Sequence, residues 1–157
     1  MIRTLVLPVL ALVAGTVPGH AIEVVKSIDV AAPPAKVWQT IGEFCGIGDW
    51  HPAIETCAPS EKDGMKLRTL SLKGGGTLVE AQVSRDDKVM RYTYTLVQGP
   101  LPVADYTSTI AVAPEGTGSK VSWSGSFGAK GVPDTVAQDA ISGIYESGLK
   151  AIADKSR

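Results

Sequence analysis

The segment Asp134-Thr135-Val136-Ala137-Gln138-Asp139-Ala140-Ile141-Ser142-Gly143-Ile144-Tyr145-Glu146-Ser147-Gly148-Leu149-Lys150-Ala151-Ile152-Ala153-Asp154-Lys155 decides the fold. Ala137, Ile141, Ile144, Tyr145, Gly148, Leu149 and Ile152 recur at helical spacing, which puts them on one stripe of a long amphipathic helix. Thr135 and Gln138 stand at capping-box spacing at its start. Gly143 and Gly148 each disfavour a helix by about 1 kcal/mol relative to Ala. They predict close approach of another group or space beneath the helix, unless the helix simply tolerates them.

A stripe of that length needs an apolar surface to cover, and the residues before it supply one. The turn signals Lys73-Gly74-Gly75-Gly76, Arg85-Asp86-Asp87-Lys88, Gly99-Pro100-Leu101-Pro102 and Pro114-Glu115-Gly116-Thr117-Gly118 bound about six strands after Ile54. Met90, Tyr92, Tyr94 and Leu96 share one face, opposed by Arg91, Thr93 and Thr95. Val121, Trp123 and Phe127 oppose Ser122, Ser124 and Ser126, and Tyr106, Ile110 and Val112 share a face with Ser108. One side of the sheet is therefore aromatic and the other wet. Ile22 to Val30 reads as a further strand ending at Ala31-Ala32-Pro33-Pro34, where proline suits the first turn of a helix carrying Val37, Trp38 and Ile41. Gly42, Gly46 and Gly48 break that helix, leaving a short second piece that ends near Trp50-His51-Pro52. The expected fold is α+β: a seven-stranded antiparallel sheet with two short helices between strands 1 and 2. The long C-terminal helix should lie across its concave side, leaving a cavity.

The N-terminus reads differently. One positive charge at Arg3, an apolar run from Leu5 to Ala14, and Gly19-His20-Ala21 with small residues at the cleavage positions predict a secretory signal peptide over residues 1–21. One domain then occupies residues 22–157. The apolar run is shorter than the about 20 residues of a membrane-spanning helix, and no second run follows. A soluble periplasmic or secreted protein is expected. Export makes Cys45 and Cys57, the only cysteines, a candidate disulfide that would stabilise the fold by about 3 kcal/mol by the chain-entropy argument. A redox pair is the alternative, but the C-x-x-C spacing is missing.

Composition excludes several functions. Fifteen basic against 16 acidic residues leave no excess positive charge for nucleic acid. With His20 in the predicted leader, the mature chain keeps one His and two Cys, too few for a conventional four-ligand zinc site. No metal or other cofactor is expected. Gly74 to Gly76 follow a strand without opening a helix, so they lack the context of a phosphate-binding loop.

The order of elements now carries a resemblance. Ala32-Pro33-Pro34-Ala35-Lys36-Val37-Trp38, Phe44, Trp50-His51-Pro52-Ala53-Ile54, Gly99-Pro100-Leu101-Pro102-Val103-Ala104-Asp105-Tyr106, Val121-Ser122-Trp123 and Ile144-Tyr145-Glu146-Ser147-Gly148-Leu149 resemble the helix-grip (SRPBCC) superfamily. That superfamily includes START lipid-transfer domains, the birch-pollen allergen, polyketide cyclase-like proteins and plant abscisic acid receptors. The Trp-His-Pro and Pro-Leu-Pro segments, with export, look most like MxaD-type periplasmic proteins that accompany methanol dehydrogenase and its cytochrome. The resemblance implies a curved sheet wrapped around the long helix and an internal ligand cavity. It matches His51 to the receptors' anchoring lysine, Glu80 to a pocket glutamate, Tyr106 to a pocket tyrosine and Gly148 to a polar pocket residue of the long helix. The receptors' gate is replaced by Gly74-Gly75-Gly76, so neither their hormone nor their lid switch transfers.

Each candidate has two readings. His51 either offers a hydrogen bond or a general base at the pocket, or caps local backbone before Pro52. Arg68 and Glu80 share parity about a hairpin near Gly74. They form either a polar end of the pocket or a surface pair, since Thr77, Val79, Ala81 and Val83 make a competing apolar face. The resemblance favours the pocket. Tyr92, Tyr94, Tyr106 and Trp123, with Tyr145 of the helix, either line a cavity or fill a core. Pro100, Leu101 and Pro102 form a stiff rim, a docking surface or a wide turn. The leading expectation is a non-enzymatic protein that binds a small apolar or amphipathic molecule, or a periplasmic dehydrogenase or cytochrome partner, with no residue assigned to catalysis. The alternatives are a cyclase or dehydratase using His51 as acid or base, and a lipid carrier.

Overall fold

A computed structural model describes residues 21–157. The leader read over residues 1–21 falls, but for Ala21, outside the described residues. The first strand, β1 (Ile22–Val30), stops where Pro33 and Pro34 withdraw backbone donors, and α1 (Pro34–Ile41) begins with proline in its first turn. Val37, Trp38 and Ile41 form its buried face. Gly42 ends it at φ +68°, a left-handed conformation that glycine adopts without strain. A single 3-10 turn (Phe44–Gly46) and the one-turn α2 (Ile47–Trp50) follow. Together they match the two short helices expected between the first two strands.

Six strands come next: β2 (Ile54–Lys62), β3 (Met65–Leu72), β4 (Thr77–Asp86), β5 (Arg91–Gln98), β6 (Val103–Glu115) and β7 (Gly118–Ala129). The sheet order is β1-β7-β6-β5-β4-β3-β2, with every pair antiparallel. Tyr92 and Tyr94, Tyr106, Ser108, Ile110 and Val112, and Val121, Trp123 and Phe127 are all buried, as the alternation predicts. Asp63 and Gly64, both at positive φ, make the tight β2–β3 turn, an Asp-Gly signal that the turn reading passes over. The β4–β5 turn falls later than read. β4 continues through Asp86, and Met90 lies in the turn at φ +50° rather than on the strand.

The final helix α3 (Asp134–Lys155) buries Ala137, Ile141, Tyr145, Gly148, Leu149 and Ile152. Its capping box does not form. The helix starts at Asp134 behind Pro133, so Thr135 and Gln138 lie inside the first turns and no side chain caps the end. α3 packs chiefly on β1 and β7 and touches α1 and α2. Covering that half of the sheet leaves the β3–β4 half free of the helix, and the space between them is the cavity.

The disulfide forms between Cys45 and Cys57, 12 residues apart, with Cα atoms separated by 5.6 Å. It ties the 3-10 turn to β2, the edge strand farthest from α3 in the sheet order.

Candidate ligand-binding cavity

The β3–β4 hairpin builds the deep wall. Its register sets Leu70 opposite Leu78 and Arg68 opposite Glu80, so all four face inward from two neighbouring strands. The competing apolar face loses: Leu78 and Glu80 are buried, whereas Val83, of the opposite parity, is 61% exposed. Arg68 is fully buried and donates through Nε to Glu80 Oε2 at 2.6 Å and through Nη1 to the carbonyl of Phe44. Its guanidinium lies 4.1 Å from the Phe44 ring centroid and 4.8 Å from that of Tyr94. Burial works against its charge, but Glu80, with help from the Tyr92 and Tyr94 phenols, outweighs it and holds the pKa above the ordinary arginine value. The pair is thus a fixed ionic anchor.

The opposite wall is a hydrogen-bonded aromatic cluster. Trp123 stacks on Tyr145 of α3 with centroids 4.7 Å apart, and its Nε1 donates to Ser108 Oγ at 2.9 Å and to Tyr94 Oη at 3.1 Å. The Tyr106 and Tyr145 hydroxyls lie 2.8 Å apart. Burial raises the pKa of each phenol, most strongly for Tyr94 and Tyr106, and moves that of Tyr145 up to about 12. Near neutral pH these side chains are neutral hydroxyls, not phenolates.

His51 closes the inner end of α2. A carbonyl can only accept, so Nε2 donates to Ile144 at 3.1 Å and Nδ1 accepts the Ala53 N–H at 3.2 Å. Burial lowers its pKa, the Ile144 contact opposes that shift, and Arg68 adds to it. The ring is neutral and both its nitrogens are engaged with backbone, the local-capping arrangement.

Between these walls lies a cavity of about 330 Å³. His51, Glu80, Tyr94, Tyr106, Trp123 and Leu101 of the expected site line it. Arg68, Tyr92, Tyr145 and Gly148 do not reach the lining. Arg68 and Tyr92 sit behind Glu80 and Tyr94, and Tyr145 lies behind Trp123. Gly148 is where α3 rests on the wall: a Cβ there would stand 2.5 Å from Trp123 Cζ3 and 2.8 Å from His51 Cδ2. Its role is close packing rather than contact with a ligand. Pro100 and Pro102 flank Leu101 at the rim, and a Cβ on Gly76 would meet Pro100 at 3.7 Å, so the β3–β4 turn and this loop meet over the opening.

The lining residues that the sequence reading omits are mainly Ile47, Ile54, Leu70, Leu72, Lys73 and Leu78. Leu70, Leu72 and Leu78 share the parity of Arg68 and Glu80 about the glycine turn, so the argument that pairs the charges also locates these three. No group of three or more His, Cys, Asp or Glu able to hold a metal occurs among the described residues.

Comparison with known proteins agrees with the geometry. The family described as polyketide cyclase / dehydrase and lipid transport matches residues 21–157. No functionally curated protein matches the chain. Among solved structures, the protein XoxI from Bacillus cereus is 35% identical with a TM-score of 0.79, the match covering 85% of this chain and 94% of that one. An uncharacterised protein from Bacillus thuringiensis is 34% identical with a TM-score of 0.78, over 86% and 98% of the two chains. The ZhuI aromatase/cyclase from Streptomyces sp. R1128 shares the fold, with a TM-score of 0.70 at 16% identity over 87% and 94%.

Proposed function

Because the chain belongs to the polyketide cyclase / dehydrase and lipid transport family, we propose that it is a non-enzymatic binding protein that takes one small apolar or amphipathic molecule into the cavity under α3. One observation carries this reading: an apolar chamber holds a single carboxylate, Glu80, fixed from behind by the buried Arg68. Such an arrangement orients a ligand within an otherwise apolar site. It leaves His51 poorly placed for proton transfer. A general base needs an uncommitted lone pair, and the Nδ1 lone pair of His51 already accepts the Ala53 N–H. This favours binding over the cyclase or dehydratase alternative. The lipid-carrier alternative calls for a long, wholly apolar tunnel, which Glu80 and the tyrosine hydroxyls interrupt.

The proposal includes export to the periplasm. The leader-like N-terminus and the Cys45–Cys57 disulfide support it, since such bonds persist in oxidising compartments. No helix among the described residues is long and apolar enough to cross a membrane. The finer version is an accessory protein of methanol oxidation that helps a periplasmic dehydrogenase engage its cytochrome. Its support is the resemblance of the Trp-His-Pro and Pro-Leu-Pro segments to MxaD-type proteins, with Pro100 to Pro102 as the docking rim.

Native mass spectrometry of the protein isolated from the periplasm of its own source, before and after gentle denaturation, tests the binding role. A discrete adduct lost on denaturation is expected, and its mass constrains the ligand. A clean apo mass would count against binding, and co-purification with a dehydrogenase that fails when the Pro100 to Pro102 loop is replaced would transfer the role to docking.

A further inference from the structure

The Cys45–Cys57 bridge restrains more than an edge strand. Cys45 follows Phe44, and the 3-10 turn that carries both borders a second, outer cleft of about 500 Å³. Glu43, Phe44 and Cys45 line that cleft together with Pro59 of β2 and Leu67 of β3. Phe44 is 6% exposed, and the guanidinium of the fully buried Arg68 lies 4.1 Å from its ring centroid. Arg68 lines neither the cleft nor the cavity, and it holds Glu80, which does line the cavity. Phe44, Arg68 and Glu80 thus succeed one another from the outer cleft to the inner chamber.

The seat of Phe44 depends on the bridge. Gly42 precedes the turn at φ +68° and is free to absorb a backbone rotation, whereas Gly46 ends it too close to the Ile41 carbonyl for any Cβ. Arg68 Nη1 donates to the Phe44 carbonyl, but the covalent restraint is the disulfide, which keeps the Cα atoms of Cys45 and Cys57 5.6 Å apart. Arg68 Nη2 is buried without a hydrogen-bond partner, an unfavourable state that solvent entering from the cleft would relieve. We infer that Phe44 is a redox-latched plug. With the bridge closed it seals Arg68 from the cleft; with the bridge reduced the turn swings out about Gly42 and opens a way to the charged pair behind the cavity. The reductant is a dithiol. One of its thiolates attacks a bridge sulfur to form a mixed disulfide and its second thiol resolves it, so the protein gains two electrons and two protons as two thiols while the reductant leaves as a disulfide. An oxidising compartment keeps the latch shut. The plug itself requires no ligand, and its bearing on ligand retention rests on the binding role proposed above.

Hydrogen exchange followed by NMR at the Arg68 Nε–H and at the Ile110 amide, with the bridge intact and after reduction by dithiothreitol, tests the plug. Ile110 is fully buried on the interior strand β6, so its amide reports opening of the whole domain. Reduction should speed exchange at Arg68 by about ten-fold or more relative to Ile110, the mark of a local opening. Phe44→Leu with the bridge intact should move Arg68 in the same direction by a smaller factor. Equal acceleration at both positions, or none, would overturn the plug and leave the bridge as a general brace. Loss of the fold on reduction, read by circular dichroism, would overturn it as well. None of these readings involves a ligand, so failure of the plug is distinct from failure of the binding role.

Discussion

At Gly148 a single methyl group sets two principles against each other. Alanine is the better helix former, yet its Cβ would press on Trp123 and His51 at 2.5 and 2.8 Å, and the ring of Trp123 is held between Tyr145 and its hydrogen bonds. Overpacking of that kind costs about 1–3 kcal/mol, so Gly148→Ala should lower the urea midpoint. Gly143, five residues earlier on the same helix, has nothing within 4 Å, and Gly143→Ala should raise stability by about 0.8–1 kcal/mol. Stabilisation by both substitutions would mean that α3 does not rest on Trp123 and His51 as described. The sequence flags both glycines equally, because spacing along a helix carries no information about what lies opposite.

His51 makes a second prediction at this scale. Its folded pKa lies below 6.5, chiefly through burial, so as pH falls from 6.5 the unfolded chain takes up the proton first. The stability it contributes is complete above the unfolded pKa and is lost as pH falls through the folded one. The urea midpoint should therefore decline between about pH 6.5 and 5, above the range where most carboxylates titrate. A folded His51→Gln variant should show a flatter profile in that window, and identical slopes would contradict the neutral, doubly bonded ring.

Among the elements, the β3–β4 hairpin is the most legible and α3 only partly so. Parity about Gly74 is enough to place Arg68 beside Glu80, because strand periodicity fixes which residues share a face once the turn is located. What parity leaves open is which face is inside, and the burial of Leu78 and Glu80 against the exposure of Val83 answers it. The apolar stripe of α3 is readable from its spacing, whereas its start is not: Pro133 and Asp134 begin the helix ahead of the Thr135 and Gln138 pair. The disulfide gives this scale its test. It pins the β2 edge to the turn before α2, and replacing both Cys45 and Cys57 by alanine should cost about 3 kcal/mol, read as a lowered thermal midpoint matched by reductant treatment of the parent. An unchanged midpoint would show that the β2 edge is held without the bond.

For the whole molecule, the proposed function depends on partial coverage. α3 shields the β1–β7 side of one curved sheet and leaves the β3–β4 side facing the cavity. That architecture is visible in the order of turn signals and in the alternation of aromatic residues. The cavity's exact lining is not, since whether Arg68, Tyr92 and Tyr145 face the space or stand behind its wall depends on side-chain depth, which periodicity does not encode. The central claim, that this space is the binding site, is tested most directly by titrating an anilinonaphthalene sulfonate probe into the parent protein and a folded Leu78→Trp variant and following the probe's fluorescence. The account predicts saturable binding at one site in the parent and its loss when the indole fills the chamber. Equal binding by both proteins would place the probe on the outer surface and contradict the claim.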